Sequence, residues 1–96
     1  DNVPQPGEGP SKESREQGNY DVLFFAELGE EIIEARVTGD MDPGYGSTSK
    51  MITESAICLI QDCSDLPGGI YTPAPAMGDK LIHRLVKKAG LTFDII

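Results

Sequence analysis

The run from Asp42 to Met77 constrains this chain more than any other stretch. Thirty-six residues hold a glycine turn (Asp42-Pro-Gly-Tyr-Gly46), a hydroxyl-rich start (Ser47-Thr48-Ser49), a helix-length apolar stretch and a second break at Leu66-Pro-Gly-Gly69. Glycine and proline mark the ends, so the spacing predicts one helix from about Ser47 to Asp62. Ser47 or Thr48 is positioned to supply the capping oxygen. Met51, Ile52, Ser55, Ala56, Cys58, Leu59 and Ile60 cover most of the circumference, leaving Lys50, Thr53, Glu54 and Gln61 as a polar stripe. A helix with so wide an apolar face is expected to pack on more than one side.

Upstream, Tyr20–Leu28 alternates as a strand, with Tyr20, Val22, Phe24, Ala26 and Leu28 on one face. Ile32–Thr38 repeats the pattern, and Gly29-Glu30-Glu31 reads as the hairpin link. Bulky apolar residues on both faces call for partners on both sides, since two strands alone are not stable. Downstream, Ile70-Tyr71-Thr72 reads as a short extended stretch. Thr72-Pro73 and Gly78-Asp79 are competing starts for a second helix, with body Lys80–Ala89 and stop Gly90. Leu91–Ile96 reads as a last strand. The expected fold is α+β: a small antiparallel sheet, hairpin plus C-terminal strand, packed by two helices in the order β-β-α-α-β. Residues 1–18 read as a flexible or loosely packed acidic leader, with one helical turn at Ser11–Gln17, and residues 19–96 as the folded piece.

Ninety-six residues make one small domain. Sixteen acidic residues against eight basic ones, a net charge of −8, exclude nucleic acid as a partner, because that affinity comes from cations on phosphates. The basic cluster Arg84, Lys87 and Lys88 reads as a solvated helix end favoured by the dipole. No stretch has the eighteen or so apolar residues of a membrane span. The start at Asp1, without Met, fits an excised or trimmed piece, and its polar acidic N-terminus does not read as a signal peptide. Cys58 and Cys63 form no disulfide framework and, with His83 as the single histidine, no zinc set. Reduced thiols and a cytoplasmic location are the expectation.

The turn Gly39–Lys50 is the place to look for a site. A glycine turn opening a helix can cradle an anion. The phosphate-loop pattern fails, because Tyr45 and Gly46 stand where Lys and Ser/Thr belong. The calcium-loop pattern fails at Gly44 and Met51. No G-x-G-x-x-G follows a strand, so no cofactor-binding residues are assigned. Two readings stay open: a structural turn with a capped helix, or a substrate-facing turn offering Tyr45, Ser47, Thr48 and Lys50. No catalytic residue is assigned, and His83 reads as a boundary residue flanking the buried stripe.

The ordered motifs Gly39-Asp40, Asp42–Thr48, Lys50-Met51, Leu66–Gly69, Tyr71–Ala74, Ala76–Asp79 and Ala89–Phe93 resemble the C-terminal end of saccharopine-dehydrogenase-like oxidoreductases. Members of that family include dehydrogenases acting at a secondary amine and enoyl reductases acting in trans. The resemblance implies a C-terminal fragment completing a substrate or oligomerisation domain. The NAD(P)-binding half would lie in the parent, and the fragment alone would not be catalytic. Its partners would be the remainder of the parent chain, with a homo-oligomer left open. The rival reading is a free-standing interaction module that extends a partner's sheet.

Overall fold

The computed structural model describes Val3 and residues 5–96; Asp1, Asn2 and Pro4 of the leader lie outside the described residues. The fold is α+β, with a three-stranded antiparallel sheet and two long helices in the order β-β-α-α-β, preceded by a short helix.

The short helix α1 spans Lys12–Gln17. Its cap is the one the sequence offers: the Ser11 hydroxyl oxygen accepts from the Ser14 N–H at 3.1 Å, and Glu13 lies in the first turn. Strands β1 (Tyr20–Leu28) and β2 (Glu31–Gly39) form the hairpin, with Leu28 opposite Glu31. The link is therefore two residues, Gly29-Glu30, one shorter than the spacing suggested. Gly29 takes φ 65, the left-handed backbone that lets a two-residue turn follow the twist of its strands. Strand β3 (Leu91–Ile95) pairs antiparallel with the other edge of β2, giving the order β1-β2-β3. Ile70–Thr72 joins no strand and runs as a connection.

Helix α2 spans Gly46–Gln61 and α3 spans Pro73–Lys88. Both starts that the sequence offers for the second helix are used. Pro73 opens a first segment, and Gly78 (φ 47, ψ −132) breaks it before the segment that carries Leu81 and Leu85. The core consists of two small clusters. Cys58, Cys63 and Met77 join α2 to the start of α3; Leu85, Ala89 and Leu91 join α3 to β3; and Leu81 touches both.

Within this chain α2 is covered on one side only. It packs on α3, while Ile52 is 68% and Ile60 81% exposed. Ile82 and Val86 of α3 are exposed as well. The hairpin reaches past the helices with both faces bare: Leu23, Phe25 and Ile32 on one, Phe24, Leu28 and Ile33 on the other. The shape reflects this. The radius of gyration is 16.3 Å, against about 12.5 Å for a compact chain of this length. The accessible surface is 7338 Å², about 2,000 Å² above a compact monomer of this mass.

One contact fixes the near end of the sheet. The Tyr20 ring lies across Gly39, its cross-strand partner, so closely that a Cβ on Gly39 would fall 2.2 Å from ring carbons. Gly39→Ala should force that ring off and destabilise the chain by about 1–3 kcal/mol. Gly68→Ala, where a Cβ meets nothing within 4 Å, should stay within about 0.5 kcal/mol of the parent; denaturant titration of both variants checks the pair.

Candidate functional site

The turn after β2 is organised by one side chain, Asp42. Its carboxylate accepts from the backbone N–H groups of Gly44 (3.2 Å), Tyr45 (2.7 Å) and Gly46 (3.0 Å). Its own N–H donates to the Arg15 carbonyl of α1, and its carbonyl accepts from the Ser47 N–H at 2.8 Å. One residue thus joins the leader, the turn and the first turn of α2. The three donors, led by Gly46 and Tyr45 and helped by Arg15, hold the carboxyl below the usual carboxylate range.

This corrects the expectation that Ser47 or Thr48 caps α2. Tyr45 occupies the cap position and provides no side-chain bond. Ser47 is fully buried, with its hydroxyl 2.8 Å from the Tyr20 hydroxyl. The Thr48 hydroxyl donates to the Pro43 carbonyl at 2.6 Å. Both hydroxyls brace the turn, and the cap comes from an aspartate upstream because a carboxylate can accept several N–H donors at once.

The other two residues singled out in the sequence, Tyr45 and Lys50, line a cleft of about 440 Å³ between the turn and α1, together with Lys12, Arg15, Glu16 and Met41. The Tyr45 side chain is 57% exposed. The Lys50 ammonium donates to Asp40 at 3.0 Å and to the Ala89 carbonyl at 3.4 Å, tying the end of β2 to the end of α3. Gly90 (φ 74) follows that helix end, and a Cβ there would strike the Asp40 carboxylate. Lys12 pairs with Glu16 across one helical turn. Most charge around the cleft is therefore matched.

The sequence passed over two features. Arg84 is no solvated helix end: its guanidinium clamps Asp62, Glu54 (3.1 Å) and Gln61 (2.9 Å), fastening α3 to the far end of α2. That engagement pulls the Asp62 carboxyl down and raises the guanidinium further. Helical spacing alone could not place Arg84 opposite Asp62, because they lie on different helices. The second is a wholly apolar recess of about 500 Å³ between sheet and helices, lined by Tyr20, Val22, Phe24, Met51, Leu85 and Phe93 among others. Its strand residues share the face that alternation assigns to them.

Both cysteines are free and buried, and burial together with the Cys63 thiol pushes the Cys58 thiol up. His83 is exposed. Among the described residues no group of three or more His, Cys, Asp or Glu side chains is placed to hold a metal, and no helix is long and apolar enough to cross a membrane. A nicotinamide dinucleotide does not fit the turn. The N–H groups of Gly44, Tyr45 and Gly46, which would receive a phosphate, already serve the chain's own carboxylate.

Comparison with known proteins places the chain beside larger reductases. It is 41% identical over 87 residues to a putative trans-acting enoyl reductase of Mycobacterium tuberculosis, a match covering 86% of this chain and 20% of that protein. It is 38% identical over 87 residues to a trans-acting enoyl reductase of Mycobacterium ulcerans and 32% over 85 residues to one of Mycobacterium bovis, with the same coverage. The chain thus spans about a fifth of the length of these relatives. No family model and no solved structure matches it. These names overturn the saccharopine-dehydrogenase-like assignment and the fragment function built on it: the relatives are named as trans-acting enoyl reductases.

The Asp42 network generates a pH-dependent prediction. Because the folded-state pKa lies below the unfolded one, the stabilisation is complete above the ordinary carboxylate range and is lost as pH falls through the depressed value. Asp42→Asn should lower the thermal midpoint at neutral pH and shrink the difference from the parent as the pH drops into the acid range. Thermal melts across that range check it: a difference that is constant with pH would deny the carboxylate its role.

Proposed function

We propose that this chain is a region of a larger NAD(P)-dependent enoyl reductase that acts in trans, and that the region supplies packing surface and part of a cleft wall. The observation that carries the reading is the 41% identity over 86% of the chain to a protein of which it spans a fifth. The bare side of α2, with Ile52 and Ile60 exposed, supports it, because apolar area on this scale is normally covered by another part of the same protein or by a partner. Reducing an enoyl double bond needs a hydride donor, and a nicotinamide held elsewhere in the parent would supply it.

In this reading the Asp42 turn is a wall of the parent's substrate cleft. Tyr45 and Lys50 face the cleft, while Ser47 and Thr48 keep the turn in shape. The described part of the leader, residues 5–18, lies loosely packed across that wall, and residues 19–96 form the folded piece. The remainder of the parent chain is the first partner, and a homo-oligomer is a further one. Two buried free thiols fit a reducing compartment such as the cytoplasm.

Complementation tests the proposal. The Mycobacterium tuberculosis relative would be prepared without its matched region and assayed for NADPH-dependent reduction of an enoyl thioester, with and without this chain added. The expected result is activity restored by the chain, and no thermal shift of the chain alone with NADPH. An active intact relative whose truncated form neither binds the chain nor regains activity would overturn the reading.

A further inference from the structure

Strand β1 (Tyr20–Leu28) forms one edge of the sheet and, among the described residues, bonds to β2 alone. The ladder shows which of its backbone groups are left over. Glu34 stands opposite Phe25, yet its carbonyl accepts from the Ile96 N–H at 2.9 Å, on the far side of β2. Phe25 and Glu34 are therefore a pair that exchanges no bonds, and the alternation of the ladder extends this to Asp21, Leu23 and Glu27. These residues turn their N–H and C=O groups away from β2, towards the open edge.

An edge left open is normally guarded by lysine, proline, a bulge or a short strand. β1 has none of these. It runs nine residues, its sequence YDVLFFAEL holds no lysine and no proline, and it pairs with β2 residue for residue. The opposite edge does have such a guard, since β3 is five residues long and covers only Ala35–Gly39 of β2. At the centre of β1, Val22, Leu23, Phe24 and Phe25 are consecutive apolar residues exposed by 42%, 54%, 53% and 63%. A run that is apolar on both faces is the pattern of a strand inside a sheet covered on both sides. Val22 and Phe24 line the apolar recess towards the helices, so one face already has part of its cover.

We propose that β1 is an internal strand of the parent's sheet, paired along its free edge with an extended segment from the part of the parent outside this chain. The match covers 86% of this chain and 20% of the relative, so the larger part of such a parent lies outside the match and is tethered to it. A tethered segment meets the edge at a high effective concentration, an advantage that a second copy in solution lacks. Main-chain hydrogen bonds to the outward groups of Leu23, Phe25 and Glu27 give the pairing its strength, and the apolar run fixes its register. The inference rests on the reading of this chain as a region of a larger protein, and not on the reaction that protein performs.

Hydrogen exchange followed by mass spectrometry, with fragmentation that resolves single residues, tests it. The 96-residue chain is compared with the full-length Mycobacterium tuberculosis relative in which this chain replaces the matched region. The amides of Leu23, Phe25 and Glu27 should exchange freely in the chain alone and about tenfold or more slowly in the chimera. Glu27→Pro removes one outward N–H and no bond to β2, so it should leave the melt of the 96-residue chain near that of the unmodified chain while lowering that of the chimera. Glu27→Thr keeps the N–H and should leave both melts in place. Outward amides that exchange as fast in the chimera as in the chain alone would overturn the proposal, as would a Glu27→Pro chimera that melts like its Glu27→Thr counterpart. Protection already present in the chain alone and rising with concentration would put a second copy on the edge and overturn it too. A chimera with these amides protected but without reductase activity would keep the sheet and sink the enzymatic reading instead.

Discussion

Three backbone N–H groups converge on the Asp42 carboxylate, and much of the structure hangs on that convergence. A helix must satisfy its first donors somehow, and here a side chain upstream does so with a full negative charge at the positive end of the dipole. The same residue's backbone holds the Arg15 carbonyl of the leader and the Ser47 N–H of the helix. The direction in which α2 leaves the sheet, the seat of α1 and the cleft containing Tyr45 and Lys50 are consequences of one local solution. Occupied in this way, the turn has no N–H groups left for a phosphate.

The rest of the fold is held by few groups. Two clusters of three buried residues each, the Arg84 clamp and the Lys50 tie join helices to one another and to β3. The far hairpin and the outer side of α2 have no cover within the chain. Chains of this size stand near the limit of what one core can stabilise, and this one leaves part of its apolar surface in water. Such a balance suits a region that completes its burial against other surfaces, and in the relatives the matched region is 20% of a longer protein.

The order of elements was legible because its signals are local. Alternation from Tyr20 to Leu28, the Ser11 cap and the Gly90 stop each depend on residues within a few positions. The capping of α2 was misread because hydroxyls at the helix start compete with a carboxylate four residues before it, and their true partners, Tyr20 and Pro43, lie outside the helix. The clamp on Asp62 and the apolar recess need contacts between elements distant in sequence, which periodicity does not specify. The motif order suggested a saccharopine-dehydrogenase-like label, and the relatives replace it with another reductase name. Short glycine and proline motifs record turn geometry more directly than chemistry.

The central claim is that Asp42, and no bound nucleotide, occupies the anion site at the start of α2. Backbone amide NMR of Gly44, Tyr45 and Gly46 reads that site directly. The account predicts that these resonances move together as the Asp42 carboxyl is titrated and stay unmoved when NADPH is added at neutral pH. Saturable shifts of the three amides on adding NADPH, with Asp42 titrating in the ordinary range, would contradict it.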